Sequence, residues 1–258
     1  MPVLRSTSTI AAPPHTVAGA LRDAEVLRRC GHGIEAPTRW LAAGDAVGIV
    51  LRPCDGPLTL RIDTVSAEGV AAEGEAFAHV VSLAPVGDGT RMVDELRWAV
   101  EPGPAVRALA DGVLAARATE IAAAAAALAV APVVVATALF RGRTVLAAQR
   151  TRPPALAGRW ELPGGRVESG ESEAAAVVRE CREELATGVV VGGRLGTDLR
   201  IVAGVLRVHG ACLAAGAPDP RPLEHSGLRW VTAAEVPAVD WVDADRAVVA
   251  DLVDRLVT

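Results

Sequence analysis

The chain has no lysine and no tyrosine, and its aromatic residues amount to two phenylalanines and five tryptophans in 258 positions. All 26 basic residues are therefore arginine. Together with the heavy use of alanine this points to GC-rich coding, so a single surface arginine carries little diagnostic weight. There is no basic run, and the formal net charge is −5. A protein that grips a nucleic-acid polymer needs a positive face, so that class of partner is excluded, whereas a small triphosphate accompanied by its own metal is compatible. The four cysteines, Cys30, Cys54, Cys181 and Cys212, lack C-x-x-C ligand spacing. They are expected as reduced, buried thiols of a cytoplasmic protein. The N-terminus shows Ser, Thr and Pro-Pro where a secretory signal needs an apolar core, so no signal peptide is expected. Residues 121–140 form an uncharged, mostly apolar run long enough to resemble a membrane span. It is alanine-rich, Pro132 interrupts it, and Val133-Val134-Val135 has strand character. It reads as a helix end, a short linker and a buried strand, with no membrane span.

Hydrophobic residues make up 51% of the chain and charged residues 22%, a globular balance with room for one large or two small domains. Residues 3–11 alternate toward a strand, and Pro13-Pro14 followed by residues 15–29 predicts one helix with proline in its first turn. Short strands are expected over 45–52, 58–65, 74–83 and 90–100, separated by Pro-Cys-Asp-Gly, Ala-Glu-Gly and Gly-Asp-Gly turns. Pro104 opens a long alanine-rich helix to about Ala129, with Val106, Leu109, Val113 and Leu114 on one side. Strand, helix, antiparallel sheet and long terminal helix is the order of the helix-grip domains, the START/polyketide-cyclase-like (SRPBCC) group, and residues 1–130 resemble them. The resemblance implies an α+β domain with a cavity for an apolar small ligand between sheet and helix. A filled core with a partner-binding surface is the other reading of the same order.

Residues 131–258 carry the recognisable chemistry. A hairpin is expected from 133–140 and 144–149 around Arg141-Gly142-Arg143, after which Trp160-Glu161-Leu162 leads into Pro-Gly-Gly. A helix then begins with Ser172 as N-cap and Glu173 in its first turn, and Gly188 suits its C-terminus. Ala174, Val177, Val178, Cys181 and Leu185 form its predicted buried stripe. Glu180, Glu183 and Glu184, at i, i+3 and i+4, share another face. Like charges so placed repel unless a cation is held there, and hard carboxylate oxygens suit Mg²⁺. Strands over 206–214 and 228–232 and a closing helix over 244–256 complete the predicted elements.

The segment GGRVESGESEAAAVVRECREELATGV matches the Nudix box, G-x(5)-E-x(7)-R-E-u-x-E-E-x-G-u with u a bulky apolar residue. Gly165, Glu171, Arg179, Glu180, Glu183 and Glu184 fall in register, so this half resembles the Nudix hydrolases and is expected to form their α/β/α sandwich. Cys181 fills an apolar position of the box. The closing glycine comes late, because Ala186 and Thr187 precede Gly188-Val189, which leaves the geometry after the helix as the open point. The resemblance implies Mg²⁺, with Mn²⁺ as alternative, bound by Glu180, Glu183, Glu184 and the carbonyl of Gly165. It further implies that Arg179 orients Glu180, and that Glu171 braces loop against helix.

The implied general base is Glu180 or Glu224, the latter at the position of a further carboxylate in MutT-like members; as a bare sequence feature Glu224 is an exposed loop residue. Arg150 is a candidate phosphate clamp. Asp245 aligns with the base-reading position before the last helix, where an aspartate also suits a helix cap. His209 and His225 read as ordinary strand or loop histidines. The stretch Arg-Pro-Pro-x-Leu-Ala-Gly-Arg-Trp-Glu-Leu-Pro-Gly-Gly and Leu228-Arg229-Trp230 resemble the MutT-like (deoxy)nucleoside triphosphate pyrophosphohydrolases. The proline of ADP-ribose enzymes and the downstream tyrosine of diadenosine polyphosphate enzymes are missing, as is the NADH pyrophosphatase signature. The expected activity is Mg²⁺-dependent hydrolysis of a nucleoside triphosphate, 8-oxo-dGTP or a related nucleotide, to monophosphate and pyrophosphate in nucleotide-pool cleansing, with CTP or dCTP as close alternative. A reading of another class makes the helix-grip domain the functional half and the Nudix fold its sensor.

Overall fold

A computed structural model of the chain describes residues 1–30, 33–35, 40–41, 46–50, 58–66, 69–73 and 77–258. The chain forms two compact units, Met1–Val130 with Thr197–Arg200, and Ala131–Gly196 with Ile201–Thr258.

The first unit contains β1 (Val3–Ile10), α1 (Pro14–Arg22), α2 (Ala24–Arg29), β2 (Gly33–Glu35), β3 (Ala46–Val50), β4 (Leu58–Ser66), β5 (Gly69–Glu73), β6 (Phe77–Val86), β7 (Gly89–Trp98) and α3 (Pro104–Ala129). Its sheet runs β1-β7-β6-β5-β4-β3-β2, every neighbouring pair antiparallel. Within this unit Thr16 Oγ1 donates to Asp198 Oδ2 at 2.9 Å and Arg22 Nη1 to Thr197 Oγ1 at 3.0 Å.

The single helix expected over 15–29 is two. Asp23 takes an extended conformation between α1 and α2, and its carboxylate accepts from Glu25 N at 2.9 Å. An aspartate that caps a new helix ends the old one, because its own backbone must leave the helical region. The strand expected over 74–83 begins at Phe77, with 74–76 outside the described residues, and β2 and β5 were not anticipated. Cys54, the Pro-Cys-Asp-Gly turn and the first two residues of the Ala-Glu-Gly turn also lie outside the described residues.

Helix α3 spans the bounds expected for it. Among the described residues it is the one helix long and apolar enough to cross a membrane, by length and composition alone. The run 121–140 resolves into the end of α3, a break at Pro132, and a strand.

The second unit contains β8 (Val133–Arg141), β9 (Thr144–Gln149), β10 (Trp160–Glu161), α4 (Glu173–Leu185), β11 (Val189–Ile201, less Thr197–Arg200, which group with the first unit), β12 (Gly204–Leu213), β13 (Gly227–Thr232), α5 (Asp243–Arg246) and α6 (Val249–Val257). The sheet order is β10-β9-β8-β12-β11, with β13 on β9 and β12 parallel to β8. Side chains alternate across β8. Val135 and Leu139 pack with Val177, Cys181 and Leu185 of α4. On the other face Arg255 of α6 lies over the Phe140 ring at 5.4 Å. This gives the expected helix–sheet–helix layering.

Two details of this unit differ from expectation. Ala174 is exposed and Ala176 buried, so the stripe of α4 is rotated slightly from the predicted one. The closing helix is broken into α5 and α6 at Ala247-Val248. The long strand β11 was not anticipated, since Gly192, Gly193 and Gly196 mask its pattern.

The hairpin is paired only at Phe140↔Val145 and Arg141↔Thr144. Where β9 leaves β8, the segment after β10 takes the vacated edge: Thr137 N donates to Pro163 O at 2.7 Å, Val135 N to Gly165 O at 2.8 Å and Val167 N to Val133 O at 3.0 Å. The Pro-Gly-Gly loop is thus pinned to the sheet, above α4.

Candidate active site

Two consecutive glycines are required where this loop meets the helix. A Cβ on Gly164, whose φ is +154°, would stand 2.1 Å from Val135 O, and one on Gly165 would stand 2.1 Å from Glu180 Oε1. The first would collide with the sheet backbone. The second would occupy the space of the glutamate that the loop covers. Helix α4 starts as expected, with Ser172 Oγ accepting from Ala175 N at 3.1 Å, and presents its glutamates under the loop.

Arg179 organises this face. Its Nε and Nη2 donate to the two oxygens of Glu171 at 3.0 Å, Nη1 donates to Glu180 Oε1 at 2.8 Å and to Glu183 Oε2 at 3.1 Å, and Nη2 also reaches Arg166 O at 2.9 Å. Glu171 in turn accepts from Glu168 N at 3.0 Å. One planar guanidinium therefore ties the loop carbonyl of Arg166 and three acidic side chains together, which a lysine could not do. Its hydrogen bond to Glu171, with those to Glu180 and Glu183, raises its already high pKa further.

The glutamates differ in environment. Glu183 is exposed. Glu184 is largely buried, and its Oε2 accepts from Gly164 N at 2.9 Å. Burial, with Glu180 and Glu161 nearby, pushes its carboxyl up to about 7 against the opposing pull of His225 and Gly164 N–H. Burial likewise raises Glu180, partly offset by Arg179. Among the described residues no group of three or more His, Cys, Asp or Glu side chains converges on one metal position. The chemistry of the donors nonetheless fits a hard divalent cation: carboxylate oxygens, two of them in an environment that disfavours their charge, beside a carbonyl at Gly165. That carbonyl accepts from Val135 N and keeps a second lone pair.

The residues expected on the substrate side meet at a carboxylate that sequence reasoning passed over. Glu161, in the two-residue strand β10, is ion-paired through Oε2 with Arg150 Nη1, and His225 Nε2 lies 3.2 Å from its Oε1. Arg150 Nε also donates to Arg152 O at 3.1 Å, so this guanidinium is held by the protein. The His225 side chain is 4% exposed, and its Nδ1 is buried without a hydrogen-bond partner among the described residues. Through its contact with Glu161, His225 belongs to the acidic cluster and is not an ordinary loop histidine. His209 does sit in a strand, at 2.8 Å from Glu173 Oε2.

Glu224 is exposed, with Arg152 Nη2 3.3 Å from its Oε2, and among the described residues it makes no bond to the three glutamates. Asp245 is buried, and its Oδ2 accepts from Leu162 N at 2.9 Å. It caps nothing: α5 and α6 are preceded by Val242 and Val248, neither with a side-chain cap. Burial above all, then Glu161, raises its carboxyl to about 7, while Leu162 N–H and Arg150 pull the other way.

The end of α4 settles the point left open by the late glycine. Ala186 adopts φ 54°, ψ 31°, the left-handed C-cap, and Thr187 Oγ1 donates to Pro218 O at 2.5 Å. The glycine of the pattern is not displaced. Ala186 stands in its place and takes its conformation.

The family model for the NUDIX domain matches residues 130–252. Over 128 residues the chain is 52% identical to a protein of Mycobacterium tuberculosis named putative 8-oxo-dGTP diphosphatase 2, covering 48% of this chain and 89% of that one. The chain belongs to the Nudix family. This Nudix hydrolase is also 36% identical over 103 residues to the CTP pyrophosphohydrolase of Escherichia coli, covering 40% of the chain and 76% of that protein. Among solved structures it is similar to the E. coli ORF135 protein, with 29% identity, 48% of this chain and 89% of that chain covered, and a TM-score of 0.42.

Proposed function

We propose that this Nudix hydrolase cleaves a nucleoside triphosphate to the monophosphate and pyrophosphate, with Mg²⁺ held by Glu180, Glu183, Glu184 and the Gly165 carbonyl. The carrying observation is the box geometry itself: Gly164-Gly165 laid over Glu180 and Glu184, with Arg179 fixing Glu171, Glu180 and Glu183. The similarity to proteins named as an 8-oxo-dGTP diphosphatase and a CTP pyrophosphohydrolase supports the substrate class. A bound divalent cation would supply charge neutralisation on the polyphosphate and acidify a water. Glu180, oriented by Arg179, is the general-base candidate closest to that chemistry. Glu224, paired with Arg152 at the surface, is the weaker one. Arg150 serves best as the partner that fixes Glu161, from where it could turn to phosphate.

Asp245 decides between bases. An ionised carboxylate only accepts hydrogen bonds and suits the donor ring N–H and amino group of guanine, oxidised or not. Cytosine pairs a donor amino group with an acceptor nitrogen and needs a protonated carboxyl. The burial that lifts Asp245 to about 7 makes both forms available near neutrality, so 8-oxo-dGTP and dCTP are both substrates in this reading. As pH rises from 6 to 8, kcat/KM for dCTP should fall relative to that for 8-oxo-dGTP, and Asp245→Ala should flatten this trend. A ratio that neither pH nor Asp245→Ala changes removes Asp245 from base selection. A pyrophosphate-release screen of common and oxidised triphosphates with Mg²⁺ tests the activity itself.

For the first unit we propose a helix-grip module that binds a small ligand. The support is its element order: one strand, two helices, six further antiparallel strands and the long helix α3.

A further inference from the structure

The inward stripe of α3 is apolar around one charged residue: Leu114, Arg117 and Ile121 follow one another at helical spacing, and Arg117 is only 9% exposed. The inward row of β7 repeats the pattern, with Asp94, 1% exposed, between Met92 and Leu96. Opposite Leu96 in the register stands His79 of β6. His79 Nε2 lies 2.5 Å from Asp94 Oδ1, and Arg117 Nε lies 3.0 Å from Asp94 Oδ2.

Asp94 is answered twice. Although burial alone would raise its carboxyl, His79 and Arg117 hold it below the ordinary range. Arg117 is not answered in the same measure. The ion pair with Asp94 falls short of hydrogen-bond geometry, leaving Arg117 Nε without a hydrogen-bond partner, and among the described residues the guanidinium has no other acceptor. A guanidinium cannot shed its charge, and a buried Nε donor left without a hydrogen-bond acceptor is costly. A core that needed only packing would place an apolar residue here.

We propose that the first unit binds a small molecule with an apolar body and a carboxylate head, the head received by the free Nη edge of Arg117 while Asp94, itself paired with His79, holds the guanidinium from the Nε side. The planar Nη edge matches a carboxylate with two parallel hydrogen bonds. Asp94 already balances the charge of this guanidinium, so a singly charged carboxylate adds less unmatched charge than a phosphate dianion would. The proposal rests on the reading of this unit as a ligand-binding module, and is independent of the nucleotide chemistry.

The test uses the full chain and matched probes, hexanoate, octanoate and decanoate against hexanol, octanol and decanol, by titration calorimetry. Saturable binding of at least one acid, at least tenfold tighter than its alcohol, is expected. Arg117→Gln should abolish that preference while leaving nucleotide hydrolysis unchanged, and Arg117→Lys should keep part of it. Equal binding of acid and alcohol overturns the carboxylate assignment but leaves a ligand-binding module. Absence of binding by every probe overturns both. Should Arg117→Gln fail to fold, the acid-to-alcohol comparison in the wild type and in Arg117→Lys still decides.

Discussion

Replacing Glu184 by glutamine should make the metal-free protein more stable and less active at the same time. The carboxyl is lifted from 4.5 to about 7, so in the folded state it holds its proton more tightly than in the unfolded chain. Below the unfolded value both states are protonated and the group costs nothing. As pH rises through the window from 4.5 to about 7 the unfolded chain releases the proton first, and the fold loses stability. Above that window the penalty is constant. At about 1.4 kcal/mol per unit this is roughly 3 kcal/mol at pH 8. The group is not wholly removed from solvent, so about 1–2 kcal/mol is the working figure. Glutamine keeps an oxygen to accept from Gly164 N, so the loop contact at 2.9 Å survives the change. Unfolding midpoints in EDTA at pH 4, 6 and 8 should show a stabilisation of Glu184→Gln that grows with pH and is absent at pH 4. Added Mg²⁺ should raise the wild type more than the variant. A variant less stable than wild type at pH 8 in EDTA would show that the Glu184 carboxylate is compensated within the protein, and the argument would fail.

Glu183→Gln, in contrast, should leave the metal-free stability within about 0.5 kcal/mol, because Glu183 is exposed. Its kcat with saturating Mg²⁺ should still fall on the order of a hundredfold or more, and near-normal turnover would remove it from the metal site. Arg179→Lys should cost at least about tenfold in kcat through misplacement of Glu180 and Glu183, since an ammonium cannot span the acceptors that the guanidinium reaches; steady-state kinetics at several Mg²⁺ concentrations would show it. Ala186→Gly should stabilise by about 1 kcal/mol, the steric cost of a Cβ in the left-handed region, read as a rise in the denaturation midpoint. A fragment beginning at Ala131 should fold and hydrolyse substrate, and its insolubility beside a well-behaved full chain would refute a domain boundary near Pro132.

What was legible in the sequence was whatever local physics decides. Ser172 three residues before a free N–H, Gly142 in the turn between two apolar runs, and Pro104 at the first position of α3 each fix an element without help from afar. The box was legible because Gly165, Glu171, Arg179 and the glutamates are spaced by one loop and one helix. The break at Asp23 was readable in principle, as a cap inside a helical pattern, but hydrophobic periodicity ran through it. The role of Ala186 was obscured because alanine conceals the left-handed conformation that glycine announces. Glu161 and His225 lie 64 positions apart and are joined only by the sheet, through β9, which receives both β10 and β13. No spacing rule reaches that far. Arg117 was hidden by an alanine-rich helix in which, of the predicted apolar side, Val106, Leu109 and Val113 proved half-buried and only Leu114 belongs to the fully buried stripe.

The placement of Glu161 bears on how the site functions as a unit. It is held by Arg150 on one oxygen and faces His225 on the other, and its negative charge raises both Glu184 and Asp245. The carboxyl beneath the Gly-Gly loop and the carboxyl behind Leu162 are therefore loaded by the same neighbour. Without metal and nucleotide the cluster concentrates negative charge in partly buried surroundings, with His225 and Arg150 as its internal counterweights. Packing alone would not select such an arrangement, because an apolar residue at Glu184 or Asp245 would fold at lower cost. A cation placed among the glutamates, and a base presenting donors to Asp245, would each relieve part of the strain that Glu161 imposes. Burial is the larger cause of the raised carboxyl at both Glu184 and Asp245, and the Glu161 charge, fixed in position by the two-residue strand β10, adds to it at each.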